Sequence, residues 1–509
     1  MKKINKVLIS VFNKSSLSDI LGTLKKHQIE IISTGGTKKF IEDNDINVTS
    51  VEDITEYPSI LGGRVKTLHP KIFGGILSRD SNNLDSEDLN KFNISKIDMV
   101  IVDLYPFEET ILNKSSHNEI IEKIDIGGVS LIRAAAKNYK NTLVVPSINE
   151  FQNAIDLINE KNGFSEINDR FIFAKKAFNV TLNYENAIST YFNLKDDTNN
   201  NLPHKFNYVI NDSHKLRYGE NPHQEGRYYG NLELLFDQLN GKQLSYNNLL
   251  DIDSAVELIN EFKEPSFGIL KHNNACGFAS NNNLEMAWDQ ALQGDPISAF
   301  GGVLITNQKI NIQLAKKINQ LFFEVLISPS FSEEALELLK IKKNRIILKK
   351  KNTKLESMSF RTVLNGVLCQ KKDLISDEIN LNTVSKIDVS KHQMTDLIFA
   401  SKICKHTKSN AIVLAKNNQL IGSGCGQTSR IDALKQAILK AKSFGFSLEG
   451  AVMASDAFFP FPDCVEIAKK EGINAVIQPG GSKNDQLSID YCNQNEMAMI
   501  FTGNRHFKH

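Results

Sequence analysis

Along the first third of the chain, short aliphatic runs alternate with stretches whose apolar positions recur every three or four residues. Val7 to Val11, Ile29 to Ile32, Met99 to Val102 and Leu143 to Val145 are apolar runs bounded by polar residues, which predicts strands buried on both faces. Leu17 to His27 and Lys38 to Asn44 carry helical spacing. Strands alternating with helices predict an α/β unit around a mainly parallel sheet, and such sheets collect ligands at the carboxyl ends of their strands. Further on, predicted strands at Phe267 to Leu270, Gly302 to Ile305, Ala411 to Leu414 and Leu420 to Gly422 again mix with amphipathic helices. Between the two regions, Lys195 to Pro203 is polar and aperiodic, so domains are expected at 1–195 and 205–509 with a linker at 196–204. The charged stretch Leu336 to Leu355 predicts a seam, near 336–380, between two subdomains of the second region.

Composition narrows the classes of function. Hydrophobic residues at 41% and charged residues at 23% are those of an ordinary soluble globular protein. Lys plus Arg at 60 nearly cancels Asp plus Glu at 59, which argues against a nucleic-acid or membrane-surface partner. An anionic small molecule stays open, since a phosphate needs only a few local donors. The apolar stretch Val7 to Phe12 is too short for a secretory signal, and no apolar run reaches the roughly 18 residues of a membrane span. A cytoplasmic chain is expected. The six cysteines are scattered without a C-x-x-C pair, so reduced thiols and no metal site are expected.

Four segments of the first region carry candidate chemistry. Ser33-Thr34-Gly35-Gly36-Thr37 follows a predicted strand and opens a helix, aiming N–H groups and hydroxyls where a phosphate would sit. A tight βα connection with no ligand is the competing reading. Asp125-Ile126-Gly127-Gly128 precedes an Ala-rich helix, so its glycines lie at a second helix N-terminus, unless Asp125 simply caps that helix. Gly62 to Pro70 places Arg64, Lys66 and Thr67 in a glycine-flanked loop: a guanidinium can fork onto phosphate and a desolvated lysine can act on a carbonyl. A solvated basic loop is the alternative. Asp103-Leu104-Tyr105-Pro106-Phe107 ends a buried strand with a phenol, which serves packing or catalysis.

In order, S-T-G-G-T, G-G-R-V-K-T-L-H-P, D-L-Y-P-F and I-D-I-G-G-V-S-L-I-R-A-A-A-K-N together resemble the IMP cyclohydrolase domain of the bifunctional purine-biosynthesis enzymes. The second region is similar to the formyltransferase of the same family through L-R-Y-G-E-N-P-H-Q, K-H-N-N-A-C-G, I-S-A-F-G-G-V, Q-M-T-D-L, K-S-N-A-I-V, G-Q-T-S-R-I, S-D-A-F-F-P-F-P-D, Q-P-G-G-S-K and T-G-N-R-H-F-K-H. The resemblance covers essentially the whole chain. It implies an α/β protein with a methylglyoxal-synthase-like (Rossmann-like) N-terminal domain and a C-terminal domain of two cytidine-deaminase-like halves that carry no catalytic zinc. It implies transfer of a formyl group from the co-substrate 10-formyltetrahydrofolate to 5-aminoimidazole-4-carboxamide ribonucleotide, then cyclisation of the formamido product to IMP. A homodimer acting on nucleotide and folate substrates is implied as well.

Residue by residue, the resemblance implies that Lys66, Tyr105, Asp125 and Lys137 orient groups and move protons in cyclisation. Ser10, Lys14, Thr34, Gly36, Thr37, Arg64, Thr67, Gly127 and Gly128 would bind nucleotide and phosphate. Arg133 and Lys137 share a helix face, so a structural role for either stays open. For formyl transfer, the catalytic pair falls on Lys271 and His272. Lys-His also occurs at Lys26, Lys391, Lys405 and Lys508, so the flanking motif alone singles this pair out. Its chemistry is coherent: the substrate amine is a poor nucleophile, an imidazole can take its proton, and a cation can stabilise the oxyanion or protonate the departing nitrogen. Asn410 and Asp463 would position reacting groups, Arg217 and Arg430 would hold phosphate, and Tyr218, His223, Phe300, Gly301, Phe458 and Arg505 would line the site.

Three positions depart from the family pattern. Asp103 stands in place of Asn, an extra anion expected either to weaken binding of an anionic ligand or to push the Tyr105 phenol's pKa upward. Phe73 replaces a His. Ala275 replaces a Pro, which is expected to loosen the turn beside Lys271 and His272. Two rivals are weighed: a nucleotide-sensing N-terminal module fused to a formyltransferase, which would need no proton-transfer set, and a zinc deaminase, whose H-x-E and P-C-x-x-C ligands the sequence lacks.

Overall fold

Five strands build the sheet of the first unit: β1 (Lys6–Val11), β2 (Glu30–Ser33), β3 (Thr49–Ser50), β4 (Met99–Asp103) and β5 (Leu143–Val145). In the computed structural model, which describes residues 1–195, 202, 206–379 and 381–509, they lie in the order β3-β2-β1-β4-β5 with every pair parallel. Val7, Leu8, Ile9, Val100, Ile101 and Val144 are fully buried, as continuous apolar runs require when both faces of a parallel sheet are covered. The covering helices include α1 (Leu17–Lys26), α2 (Gly35–Glu42), α3 (Pro70–Leu77), α4 (Gly127–Lys137), α5 (Phe151–Glu160) and α6 (Ile167–Lys195). Strand order reverses at β1, with β2 on one side and β4 on the other. The crevice beyond the carboxyl end of β1 is therefore where this topology offers a ligand its place.

The first unit runs Met1–Val209 and the second Ile210–His509. Apart from Leu202, the expected linker at 196–204 lies outside the described residues.

The second unit is a duplication that periodicity alone does not reveal. Its first half runs α7 (Tyr246–Ile259), β7 (Ser266–Lys271), β8 (Asn274–Ser280), α8 (Leu284–Gly294), β9 (Val303–Thr306), α9 (Ile312–Ile318), β10 (Val325–Ser328), α10 (Glu333–Lys340) and β11 (Ile346–Lys350), with β6 (Phe236–Asn240) preceding it. After β12 (Asn382–Thr383), the second half repeats the order as α11 (Lys391–Lys405), β13 (Ile412–Lys416), β14 (Gln419–Gly424), α12 (Arg430–Ser443), β15 (Val452–Ser455), α13 (Asp463–Lys470), β16 (Ala475–Gln478), α14 (Asp485–Gln494) and β17 (Ala498–Phe501). All twelve strands form one sheet, β6-β11-β10-β9-β7-β8-β14-β13-β15-β16-β17-β12, whose halves meet where Ala279 pairs with Gln419. Leu336 to Leu355 supplies much of α10 and all of β11, which belong to the first half; the change to the second half falls between β11 and β12, at 351–381. High charge over Leu336 to Leu355 reflects one solvated helix face and the polar end of a strand.

Each half carries a two-residue hairpin turn, His272-Asn273 between β7 and β8 and Asn417-Asn418 between β13 and β14. All four residues have positive φ, 53° and 65° in the first turn and 55° and 54° in the second. That is the type I′ geometry, which Asn and His tolerate better than other side-chain-bearing residues. Among the described residues, no helix is long and apolar enough to cross a membrane.

Candidate active sites

A cavity of about 660 Å³ opens at the strand-order reversal of the first unit. Ser10, Lys14, Thr34, Gly36, Thr37, Arg64, Lys66, Thr67, Tyr105, Asp125, Gly127 and Gly128 all line it. β1 delivers Ser10, β2 leads into Thr34 and the N-terminus of α2, and β4 leads into Tyr105. Thr37 is fixed by its hydroxyl, which donates to Val11 O at 3.0 Å. Lys66 lies over glycines: a Cβ on Gly63 would sit 2.8 Å from Lys66 Cε, and one on Gly35 3.2 Å from its Nζ. Gly63 also has φ of 92°, a conformation that favours glycine.

Opposite the α2 cradle, Asp125 Oδ1 accepts the Gly128 N–H at 2.7 Å. The capping role and a place in the cavity thus coexist. Burial pushes the Asp125 carboxyl above the ordinary carboxylate range, while N–H groups of Gly128, Tyr105 and Gly127 and the charge of Lys66 pull it back. The Tyr105 phenol is raised by burial and by Asp125. Asp103 is not the source of that shift, contrary to the expectation above. Its carboxylate turns to the backbone, accepting Asn13 N–H at 3.0 Å and Ile148 N–H at 3.4 Å. Phe73 packs against the core of this unit.

Several cavity residues carried no sequence signal. Lys123 lies 5.0 Å from the centroid of Phe12 and 5.8 Å from that of Tyr105. Glu122 pairs with Arg64 at the exposed rim. From α6, the Tyr184 hydroxyl donates to Lys123 O at 2.6 Å and accepts Asp125 N–H at 2.8 Å, fastening the turn that presents Asp125. Burial raises this phenol to about 12.

Lys137 is not brought to this cavity. It ends α4, about 15 Å along the axis from Gly127 at 1.5 Å per residue, and it lines a different cavity with Arg79, Asp85 and Tyr139. A helix whose N-terminus enters a site cannot also bring its C-terminus there.

In the second unit, Lys271 and His272 stand at the I′ turn of β7 and β8, and Lys271 Nζ donates to Phe300 O at 2.8 Å. Phe300 and Gly301 thereby flank Lys271. Asp251 on α7 accepts the Asn273 N–H at 2.6 Å, and Asn247, one turn earlier, donates to Glu220 O at 3.1 Å. The loop carrying Arg217, Tyr218 and His223 is thus tied to the same end of α7. Arg217 stacks on Tyr218, 4.7 Å from its centroid. Ala275 is buried in β8 and paired with Leu270, where the register between β7 and β8 shifts.

Across the duplication, Asn274 Oδ1 accepts Lys408 N–H at 3.0 Å, which sets the turn beside the residues preceding β13. There the guanidinium of Arg430 is buried and committed: Nη1 donates to Asp456 at 2.6 Å, Nη2 to Asn410 Oδ1 at 2.9 Å and Nε to Phe458 O at 3.2 Å. These three bonds use one N–H on each guanidinium nitrogen and tie Arg430 to Asn410. Asp463 begins α13, and Arg505 lies over Phe507, 4.4 Å from its centroid.

The segment beyond β17 is pinned by His506, whose ring is bracketed by Asp373 at 2.5 Å and Asp377 at 2.9 Å. Its N–H donates to Asp456 O at 3.0 Å, and Lys508 N–H donates to Ser409 Oγ at 3.0 Å. Burial opposes the charged ring, yet the two carboxylates outweigh it and raise its pKa from 6.5 to about 9. A group raised on folding stabilises fully below its unfolded pKa, and that gain is lost as pH rises through the folded value. The melting temperature of His506→Gln should thus fall furthest below wild type near pH 6 and converge on it above about pH 9. A pH-independent difference would contradict a charged ring.

Taken together, these features define an α/β protein with a polar-lined cavity at a strand-order reversal in its first unit and, in its second, a duplicated sheet whose I′ turn carries Lys271 and His272. A family model described as AICARFT/IMPCHase bienzyme matches residues 135–440, and one described as MGS-like domain matches 16–130. A protein of Bacteroides thetaiotaomicron named Bifunctional purine biosynthesis protein PurH is 55% identical over 100% of this chain and 99% of its own. Proteins of the same name from Caldicellulosiruptor saccharolyticus and a Thermoanaerobacter species are each 44% identical over 99% of this chain and 99% of theirs. The chain belongs to the AICARFT/IMPCHase bienzyme family, and its N-terminal part is an MGS-like domain.

Proposed function

We propose that this chain carries both reactions of its family in purine biosynthesis, formyl transfer in the second unit and ring closure in the first. In the transfer, the 5-amine of the aminoimidazole carboxamide ribonucleotide attacks the formyl carbon of 10-formyltetrahydrofolate. The new N–C bond forms, the bond to the folate nitrogen breaks, and tetrahydrofolate leaves. His272 takes the amine proton, and Lys271 stabilises the tetrahedral oxyanion and returns a proton to the folate nitrogen. Asn410, held by Arg430, orients the reacting groups, with Asp463 beside them. Arg217, Tyr218, His223, Phe300, Gly301, Phe458 and Arg505 enclose the substrates.

In ring closure, the carboxamide nitrogen attacks the formamide carbon within one molecule, so proximity supplies much of the rate. The formyl oxygen departs as water, taking one proton from the carboxamide nitrogen and one from the formamido nitrogen. Asp125, whose carboxyl burial raises above its ordinary value, accepts and relays a proton. Tyr105, kept as a phenol, donates to the departing oxygen, and Lys66 stabilises its charge. Ser10, Lys14, Thr34, Gly36, Thr37 and Thr67 hold the ribose phosphate at the N-terminus of α2, with Arg64 at the rim.

One observation carries this reading: Lys66, Tyr105 and Asp125 converge on a single cavity whose other wall is an anion cradle. A sensor of nucleotide would need the cradle alone. Finer parts of the reading are a cytoplasmic location and a homodimer, the latter supported by exposed Ile167, Phe171, Phe178 and Leu182 at helical spacing along α6. Incubated with the ribonucleotide and 10-formyltetrahydrofolate, the full chain should yield IMP and tetrahydrofolate, and it should convert added formamido nucleotide by itself. Saturable binding of either nucleotide without turnover would overturn the proposal.

A further inference from the structure

The Phe300 carbonyl that receives Lys271 Nζ belongs to a turn that begins at a buried charge. α8 stops at Gly294 because Pro296 follows: the residue before a proline is driven out of helical backbone, and Asp295 has φ of −162° and ψ of 82°. Its side chain is 1% exposed. Asp295 Oδ1 accepts the Ser298 N–H at 2.8 Å and its backbone carbonyl accepts the Ala299 N–H at 3.1 Å, which folds 295–299 into a tight turn. The Gly301 N–H then donates to Phe322 O at 2.8 Å, leaving Phe300 O to meet Lys271 Nζ at 2.8 Å.

A buried carboxylate needs a cation, and here it comes from the other half of the duplication. Lys440 on α12 places Nζ 2.5 Å from Asp295 Oδ2. The end of α8 is pressed against that half: a Cβ on Gly294 would sit 2.9 Å from Leu420 O, and Gln419 Nε2 donates to Gln290 O at 2.9 Å. Gln436, one helical turn before Lys440 on the same face of α12, accepts the Cys425 N–H at 3.1 Å and Gln427 Nε2 at 3.2 Å. Gln427 O in turn accepts Asn410 Nδ2 at 2.9 Å. One helix therefore reaches both sides of the formyl-transfer site, Asn410 through Arg430 and Gln436, and Lys271 through Lys440. We infer that the ion pair of Lys440 and Asp295 is a positioning device for formyl transfer, setting the turn whose Phe300 carbonyl holds Lys271. The inference rests on the proposed role of Lys271. An exposed ion pair would contribute little, but this carboxylate has no water to turn to when its cation is lost.

In the full chain, Lys440→Met should lower kcat for formyl transfer by about tenfold or more, since misplacing a catalytic group by about 1 Å costs up to about 100-fold. Cyclisation should keep its wild-type rate. Lys440→Arg, which still reaches Asp295 with a cation, should restore kcat to within about threefold of wild type. Asp295→Asn/Lys440→Met buries no unpaired charge and keeps an oxygen for the Ser298 N–H, so it holds the test open if Lys440→Met folds poorly; lacking the tie, it should show a comparable loss. In a Lys271→Gln background, read in single turnover, the loss from Lys440→Met should shrink to within about twofold, because no ammonium is left to place. Wild-type kcat in Asp295→Asn/Lys440→Met, or a loss from Lys440→Met as large beside Lys271→Gln as in the wild type, would overturn the inference. If Lys271→Gln transfers formyl at the wild-type rate, the reading of Lys271 itself fails. If Lys271→Gln is impaired while Asp295→Asn/Lys440→Met matches wild type, the role of the ion pair alone fails.

Discussion

With His272 replaced by alanine, formyl transfer should fall by about two to four orders of magnitude while added formamido nucleotide is still cyclised at the wild-type rate. The size of the effect follows from the nucleophile. The lone pair of the 5-amine is delocalised into the imidazole and carboxamide, so attack requires its proton to be taken as the new bond forms. A base can do this only if it is held in place. His272 sits at a two-residue turn with φ of 53°, clamped by Asp251 through Asn273 and by Lys408 through Asn274. Alanine removes the imidazole but tolerates this φ less well than histidine, so His272→Asn, which suits the turn, serves as the matching variant. Selectivity follows from the division of the chain, since Lys66, Tyr105 and Asp125 all line a cavity of the first unit. Single-turnover formation of formamido nucleotide, measured beside cyclisation of the same compound supplied externally, checks both halves. Loss of both activities from a variant with native circular dichroism would contradict separate sites.

Legibility of the chain depended on how local each determinant is. Four of the five strands of the first sheet were readable because both faces are buried and the apolar run is unbroken. The fifth, Thr49–Ser50, is two residues long and carries no pattern. Thr34, Gly36, Lys66, Tyr105 and Asp125 could be proposed because each sits in a short motif at a strand end or helix start. Lys137 shared such a motif with Gly127, yet a helix carries its two ends apart, so neighbours in sequence became residents of different cavities. Asp456 lay inside a quoted motif, but its pairing with Arg430 is a tertiary fact. Tyr184 and Asp251 stand on helices with no motif around them and act through backbone N–H groups, which leave no trace in side-chain periodicity. The duplication of the second unit, implied by the family resemblance, was invisible to periodicity for the same reason: corresponding elements keep their order and turns but not all their letters, as Lys271-His272 against Lys416-Asn417 shows.

Gly128→Ala should cost ring closure about 100-fold while leaving formyl transfer intact, the size expected when a catalytic group is displaced by about 1 Å. Helix propensity alone predicts the opposite, since alanine inside a helix gains up to about 1 kcal/mol over glycine. The decisive term is steric. A Cβ at residue 128 would sit 2.9 Å from both Asp125 Cγ and Leu104 Cδ2, closer than real Cβ contacts come. Leu104 adjoins Tyr105, so the methyl group pushes on two proposed proton-handling residues at once. Tyr184 fastens the Asp125 backbone from the other side, so the carboxylate must leave its bond to the Gly128 N–H instead of shifting as a unit. Overpacking of this kind costs about 1–3 kcal/mol, which matches or exceeds the gain in propensity of up to about 1 kcal/mol. Steady-state cyclisation of the formamido nucleotide by Gly128→Ala, read beside Asp125→Asn, separates placement from charge. Similar losses in both variants would assign the effect to the carboxylate, and wild-type turnover in Gly128→Ala would show that its position does not govern the reaction.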